Sequence, residues 1–156
     1  MWRLIPVLQA LDKLVRDGNA AGVQECLAAT GTVGLEYRNR KGRLPLHQAV
    51  LDRHVDVVRA LLEGGALLDA RDSAGLAVWH VVEDMMTRYQ EQIQEEEDIA
   101  RSGQDLQEVL LHKKVALMAT KQLQEASSVS ELLLLHGVDT EAPRPEPGFG
   151  GNARRG

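Results

Sequence analysis

Among the side chains able to do chemistry, His47 and His80 come first, because each lies at the same short step after a glycine, Gly42 or Gly75. An imidazole can ligate a metal or relay protons near neutral pH. A zinc site, however, needs several His or Cys ligands at short spacings. The other histidines, His54, His112 and His136, are scattered, and Cys26 is the only cysteine. No metal and no cofactor are therefore expected. Gly64-Gly65 lacks the lysine and spacing of a phosphate loop, no G-x-S-x-G elbow is present, and no carboxylate pair falls into a recognisable catalytic pattern. The residue chemistry predicts no enzyme.

Composition narrows the class of element that must carry these residues. A chain of 156 residues, 44% apolar and 26% charged, suits one globular domain with one core. With one Phe, two Tyr and two Trp, burial falls to Leu, Val and Ala, which favours packed helices over sheets. A net charge of −5 argues against nucleic acid as a partner. A lone cysteine excludes an internal disulfide and suits a reducing compartment, the cytoplasm first and the nucleus as the alternative. The apolar run Leu4–Leu11 is too short to span a bilayer and lacks a clear cleavage site, so no membrane association is expected, and the run reads as the start of the first helix.

The spacing of the two histidines belongs to a longer self-similarity. Asn39 to His47 matches Asp72 to His80 at a period of 33. Val57 to Ala66 recurs as Val129 to Val138 at a spacing of 72, and Gly18 to Leu27 aligns with Arg53 to Leu62 at 35. Three units with a fixed period predict a stacked solenoid, because one such unit cannot bury its apolar face alone.

The pattern G-x-x-P-L-H-x-A followed by V-V-x-x-L-L-x-x-G-A resembles the ankyrin repeat, carried best by Gly42, Pro45, Leu46, His47, Ala49, Val57, Val58, Leu61, Leu62, Gly65 and Ala66. The resemblance implies an all-α solenoid in which each unit is a turn and two antiparallel helices, A and B. It also implies a structural role for His47 and His80, bonding the backbone of a neighbouring turn. Two departures stand out. The hydroxyl that caps helix A in the family is replaced by Leu44 in the second unit and Ala77 in the third, and Arg53 replaces the usual glycine between helices A and B. Cys26 falls where Leu61 falls in the next unit and is read as core.

The spacing of 72 is far more than one period, so the third unit carries a long insertion. Between Pro45 and Pro143 there is no proline, and Ser102-Gly103-Gln104 is the one turn-like break in a stretch rich in Gln, Glu, Lys, Leu, Met and Ala. A turn there leaves about 18 extra residues on each side, or about five whole helical turns at 3.6 residues each, so the solenoid phase survives. The third unit's two helices then extend into an antiparallel hairpin projecting about 27 Å. Val82, Met85, Tyr89 and Ile93 offer one side of a seam, and Val109, Ala116, Ala119, Leu123 and Ala126 the other. Leu106, Leu110, Leu111, Leu117 and Met118 point away from it, and two uses are open for them: folding back on the end of the stack, or a surface for a partner or for self-association. The acidic run Glu91, Glu95, Glu96, Glu97, Asp98 reads as a solvated face.

The predicted organisation is one repeat domain over 1–141, with units at about 6–38, 39–71 and 72–141, a helical hairpin inserted at about 85–126, and a disordered tail over 142–156. In proteins of this resemblance, partners meet the turn tips and the concave face of the A helices. Position by position this selects Arg40, Lys41, Arg43, Leu51 and Asp52 in the second unit, and Ser73, Ala74, Leu76, Asp84 and Met85 in the third; the arm adds Leu106, Leu110 and Leu117. The basic tip of Arg38, Arg40, Lys41 and Arg43 favours an acidic segment of a protein partner. The expected function is a non-catalytic interaction module, a small adaptor or inhibitor. The alternative is an assembly subunit that oligomerises or docks into a larger complex through the arm.

Overall fold

A computed structural model describes residues 5–145, and these form seven helices without a strand. The order is α1 (Ile5–Asp17), α2 (Ala20–Thr30), a single turn α3 (Thr32–Leu35), α4 (Pro45–Leu51), α5 (Val55–Glu63), α6 (Val78–Ser102) and α7 (Leu106–Leu135). The pairs α1/α2, α4/α5 and α6/α7 are the A and B helices of three stacked units, so the solenoid and its inserted hairpin are both present.

Apolar periodicity explains the stack. Leu8, Leu11 and Val15 fall on one face of α1, and Val57, Val58, Leu61 and Leu62 on one face of α5; Leu11, Val15 and the α5 residues are buried in a core continuous with Val78, Val82, Val129 and Leu133 of the third unit. Cys26 is partly buried against the same cluster. The two copies of the B-helix end close alike: Gly65 and Gly137 take left-handed φ of 98° and 82°, and Ala66 and Val138 donate N–H bonds back to the carbonyls of Leu61 and Leu133.

The insertion keeps helical phase as whole turns require. α6 runs unbroken for 25 residues and stops at Gly103, where a Cβ would lie 2.8 Å from Val109 Cγ2, so a larger residue there would force Val109 to shift. Asp105 then caps α7 by accepting the Gln107 N–H at 3.1 Å. Met85, Ala100, Ala116, Ala119 and Ala126 are buried in the seam, with Tyr89, Ile93 and Val109 half-buried. One polar pair lies among them, His112 Nδ1 donating to Glu96 Oε2 at 2.6 Å, and the apolar pattern gives no sign of it.

The hairpin projects. Its last polar links to the stack, among the described residues, are those of Arg53, which donates to Glu125 Oε2 (3.1 Å) and to the Tyr89 hydroxyl (2.7 Å) and stands 5.6 Å from the Tyr89 ring centroid. This accounts for the departure at position 53. Arg53 is the one non-glycine residue with positive φ (58°) among those described, in the place that Gly18 (φ 76°) holds one unit earlier. A left-handed backbone costs an L-residue about 1–2 kcal/mol, and here the side chain clamps the root of the arm in return. Arg53→Ala keeps the strain and loses the clamp, whereas Arg53→Gly loses the clamp and relieves the strain. Urea unfolding is expected to show the glycine variant about 1 kcal/mol more stable than the alanine variant; the reverse order would mean that the backbone there is not strained.

The boundary drawn at residue 141 needs correction. Ala142, Arg144 and Pro145, assigned by sequence to a disordered tail, lie against the third unit: Ala142 accepts from His80, Arg144 pairs with Glu83 (2.7 Å) and Asp84 (2.8 Å), and Pro145 sits beneath Gly75. Low apolar content hid these contacts because they are polar and backbone-mediated. The rest of the expected tail, 146–156, lies outside the described residues.

Candidate protein-interaction surfaces

The turns are built by one side chain each. Asn39 Oδ1 accepts the N–H groups of Lys41 (3.0 Å) and Arg43 (3.1 Å), and Asp72 Oδ1 accepts those of Ala74 (2.9 Å) and Leu76 (3.0 Å), the same atoms one unit further along the chain. Gly42 takes φ 75° and is pressed by the Ser73 side chain, so a Cβ there would collide with Ser73 Oγ as well as strain the backbone. Ser73 also donates from its backbone N–H and its hydroxyl to the Gly42 carbonyl, joining one turn to the next.

His47 and His80 serve the same purpose. His47 donates from Nε2 to the Leu76 carbonyl at 2.9 Å, and His80 from Nε2 to that of Ala142 at 2.8 Å. Both rings are buried, and because a carbonyl only accepts, each Nε2 must carry the proton. His80 Nδ1 accepts the Ala77 N–H at 3.1 Å, holding the start of α6 where no capping hydroxyl exists. His54 adds a third such bond, to the Arg16 carbonyl.

Of the residues selected by sequence, Arg40 and Lys41 are exposed and border an open groove of about 510 Å³ between the first two units. Across it stand Lys13 and Arg16 of α1, with Tyr37, Asn39 and Gln48 at the floor. Asn39 Nδ2 reaches both Asp12 Oδ1 (3.3 Å) and Gln48 Oε1 (3.1 Å), and Gln48 in turn donates to Asp52 (2.9 Å), so the floor is a polar chain tying α1 to α4. Four cations thus face one another with one carboxylate, Asp12, which is itself paired to Arg16 at 3.1 Å. Lys13 and Arg16 were not selected from the sequence, since the whole of α2 and α3 separates them from the tip; a basic step on the helix-A position of the first unit was the signal available.

The structure does not gather the remaining selected residues here. Arg38 donates to the carbonyls of Gly42 and Arg71 and is part of the turn, with Arg71 doing the same to Gly75. Arg43 is half-buried with a long contact to Gln48 (3.5 Å), and Asp52 is held by Gln48. Leu51 is half-buried beside Met85, Arg88 and Tyr89 in a small cleft at the root of the arm. Ser73 and Leu76 take part in turn-to-turn bonding, Asp84 is taken by Arg144, and Met85 is 2% exposed, closed to any partner.

On the arm, Leu106, Leu110 and Leu117 are 69%, 56% and 71% exposed, and Leu111 and Met118 are exposed as well. They do not fold onto the stack. Among the described residues no helix is long and apolar enough to cross a membrane, and no group of three or more His, Cys, Asp or Glu could hold a metal ion.

Residues 41–73, from the second turn through α4 and α5 to the start of the third turn, match the family model of the ankyrin repeat. No curated protein matches the chain. One unit is thus matched to an ankyrin repeat, and its turn is rebuilt with the same backbone-to-side-chain bonds in the unit that follows.

Proposed function

We propose that this protein is a non-catalytic interaction module, an adaptor or inhibitor that holds a partner rather than converting it, and that the groove between its first two units takes an acidic segment of that partner. What carries the reading is the convergence of Lys13, Arg16, Arg40 and Lys41 on one open groove in a chain whose net charge is −5. Cations concentrated on one face of an acidic body steer an acidic segment to that face and fix its register. The single cysteine favours action in a reducing compartment, the cytoplasm.

Each exposed ion pair contributes little, so the test reverses several charges at once. Binding of a fluorescent Asp/Glu-rich peptide is expected to weaken about tenfold or more in Lys13→Glu/Arg40→Glu/Lys41→Glu, and to weaken with added salt over the range where the Debye length falls below about 10 Å. An affinity unchanged by the triple reversal sinks the groove as the binding site.

A second reading, an assembly subunit that associates through the arm, is favoured by a specific observation: three leucines of one helix stripe stand more than half exposed on a rod that holds them away from the stack. Contiguous apolar patches of this kind mark interaction sites.

A further inference from the structure

We propose that the arms of two copies of this chain pair, with a two-fold axis along the arm, so that α6 of each copy lies across α7 of the other. The proposal rests on the assembly reading above and specifies its geometry.

Leu106, Leu110 and Leu117 follow one another at steps of four and seven on one side of α7, and Lys113 stands in the same stripe. Beside the stripe runs an open groove of about 530 Å³ between α6 and α7. Its floor is Ala100 and Ala116, small enough to admit the side chains of another helix; its α6 rim carries Glu97 and its α7 rim Lys113 and Leu117. Arg101 on the α6 rim is already paired with Asp98 at 3.2 Å. Neither Glu97 nor Lys113 forms an ion pair among the described residues.

A surface acidic on one rim, basic on the other and apolar along the basic side is self-complementary under one kind of rotation. Turning a copy about the arm's long axis exchanges left and right, so the acidic rim of each faces the basic rim and the leucines of the other. Turning it about an axis across the arm sets Glu97 near Glu97 and Lys113 near Lys113, which repel. Height agrees as well. Glu96 and His112 touch across the seam, so their neighbours Glu97 and Lys113 lie at nearly one level, and rotation about the long axis preserves level. Both Glu97–Lys113 pairs then form by symmetry.

Light scattering after gel filtration at tens of micromolar is expected to give a dimer. Leu110→Glu with Leu117→Glu should yield a monomer of unchanged helicity by circular dichroism, both sites being exposed. Lys113→Glu alone and Glu97→Lys alone should each weaken the dimer about tenfold, and the two together should restore it. Gln104→Cys in a Cys26→Ser background should cross-link between copies on mild oxidation, because a long-axis rotation brings the two tips together. A monomeric wild type overturns the pairing and self-association through the arm, leaving only docking of the arm to a different protein. A dimer whose tips do not cross-link, or which the charge double does not restore, overturns this pairing while leaving assembly by another face.

Discussion

Leu133→Ala is expected to lower the free energy of unfolding by about 2–5 kcal/mol, whereas Leu117→Ala, on the same helix, should change it by less than about 0.5 kcal/mol. Leu133 is fully buried in the shared core, and Leu117 is 71% exposed. Truncating the first leaves a cavity in the layer that joins α7 to α5; truncating the second removes carbons that already meet water. The arm and the third unit share both helices, so the loss at Leu133 should be cooperative, taking the arm's helicity with it. Urea titration followed by circular dichroism, at protein concentrations low enough to keep the chain monomeric, checks both values. Two variants of equal cost would mean that α7 does not serve as the B helix of the third unit.

Acidification below about pH 6.5 is expected to destabilise the fold through His47, and His47→Gln should flatten that dependence. Burial lowers the His47 pKa, and an unfavourable interaction with Arg38 adds to this; the bond to the Leu76 carbonyl and the charge of Asp72 oppose it without cancelling it. The geometry agrees, because Nε2 already carries the proton given to Leu76 and the buried Nδ1, where a second proton would have to go, has no hydrogen-bond partner among the described residues. The folded state therefore protonates at lower pH than the unfolded chain, where histidine titrates near about 6.5. Above that value the neutral ring's contribution is fully present. Below it the unfolded chain takes up the proton first, and stability falls until the pH reaches the folded-state pKa, with a limiting slope of about 1.4 kcal/mol per pH unit for one proton. Urea midpoints of wild type and variant at pH 7.5 and 5.5 measure the difference. The glutamine variant should also start lower at pH 7.5, by about 1–3 kcal/mol, if the link to Leu76 is lost. Parallel pH curves for the two proteins would remove His47 from the account.

The turn chemistry was legible residue by residue. Asn39 and Asp72, each three before a glycine, predicted the same loop twice, and the loop closes twice with the same bonds. The hairpin was legible through phase: whole helical turns on either side of Gly103 leave Val129, Leu132 and Leu133 facing the core, as Val57, Ala60 and Leu61 do. Less could be read of the surface. Arg38 and Arg40 look alike in sequence, yet one is bound to two carbonyls and the other lines an open groove. Asp84 looked available and is held by Arg144, far along the chain.

Periodicity and local bonding are properties of neighbouring residues, and so the order of helices, the turns, the histidine at each A helix of the second and third units and the extended third unit follow from the chain's own spacing. Pairings across the stack depend instead on which faces the units present to one another. Only the tertiary structure set Lys13 and Arg16 opposite Arg40 and Lys41, placed Arg53 beneath Tyr89 and Glu125, and held the arm away from the stack with its leucines in water. A linear pattern records how apolar a face is, but the surface that covers it, or leaves it open, is decided by groups many residues distant.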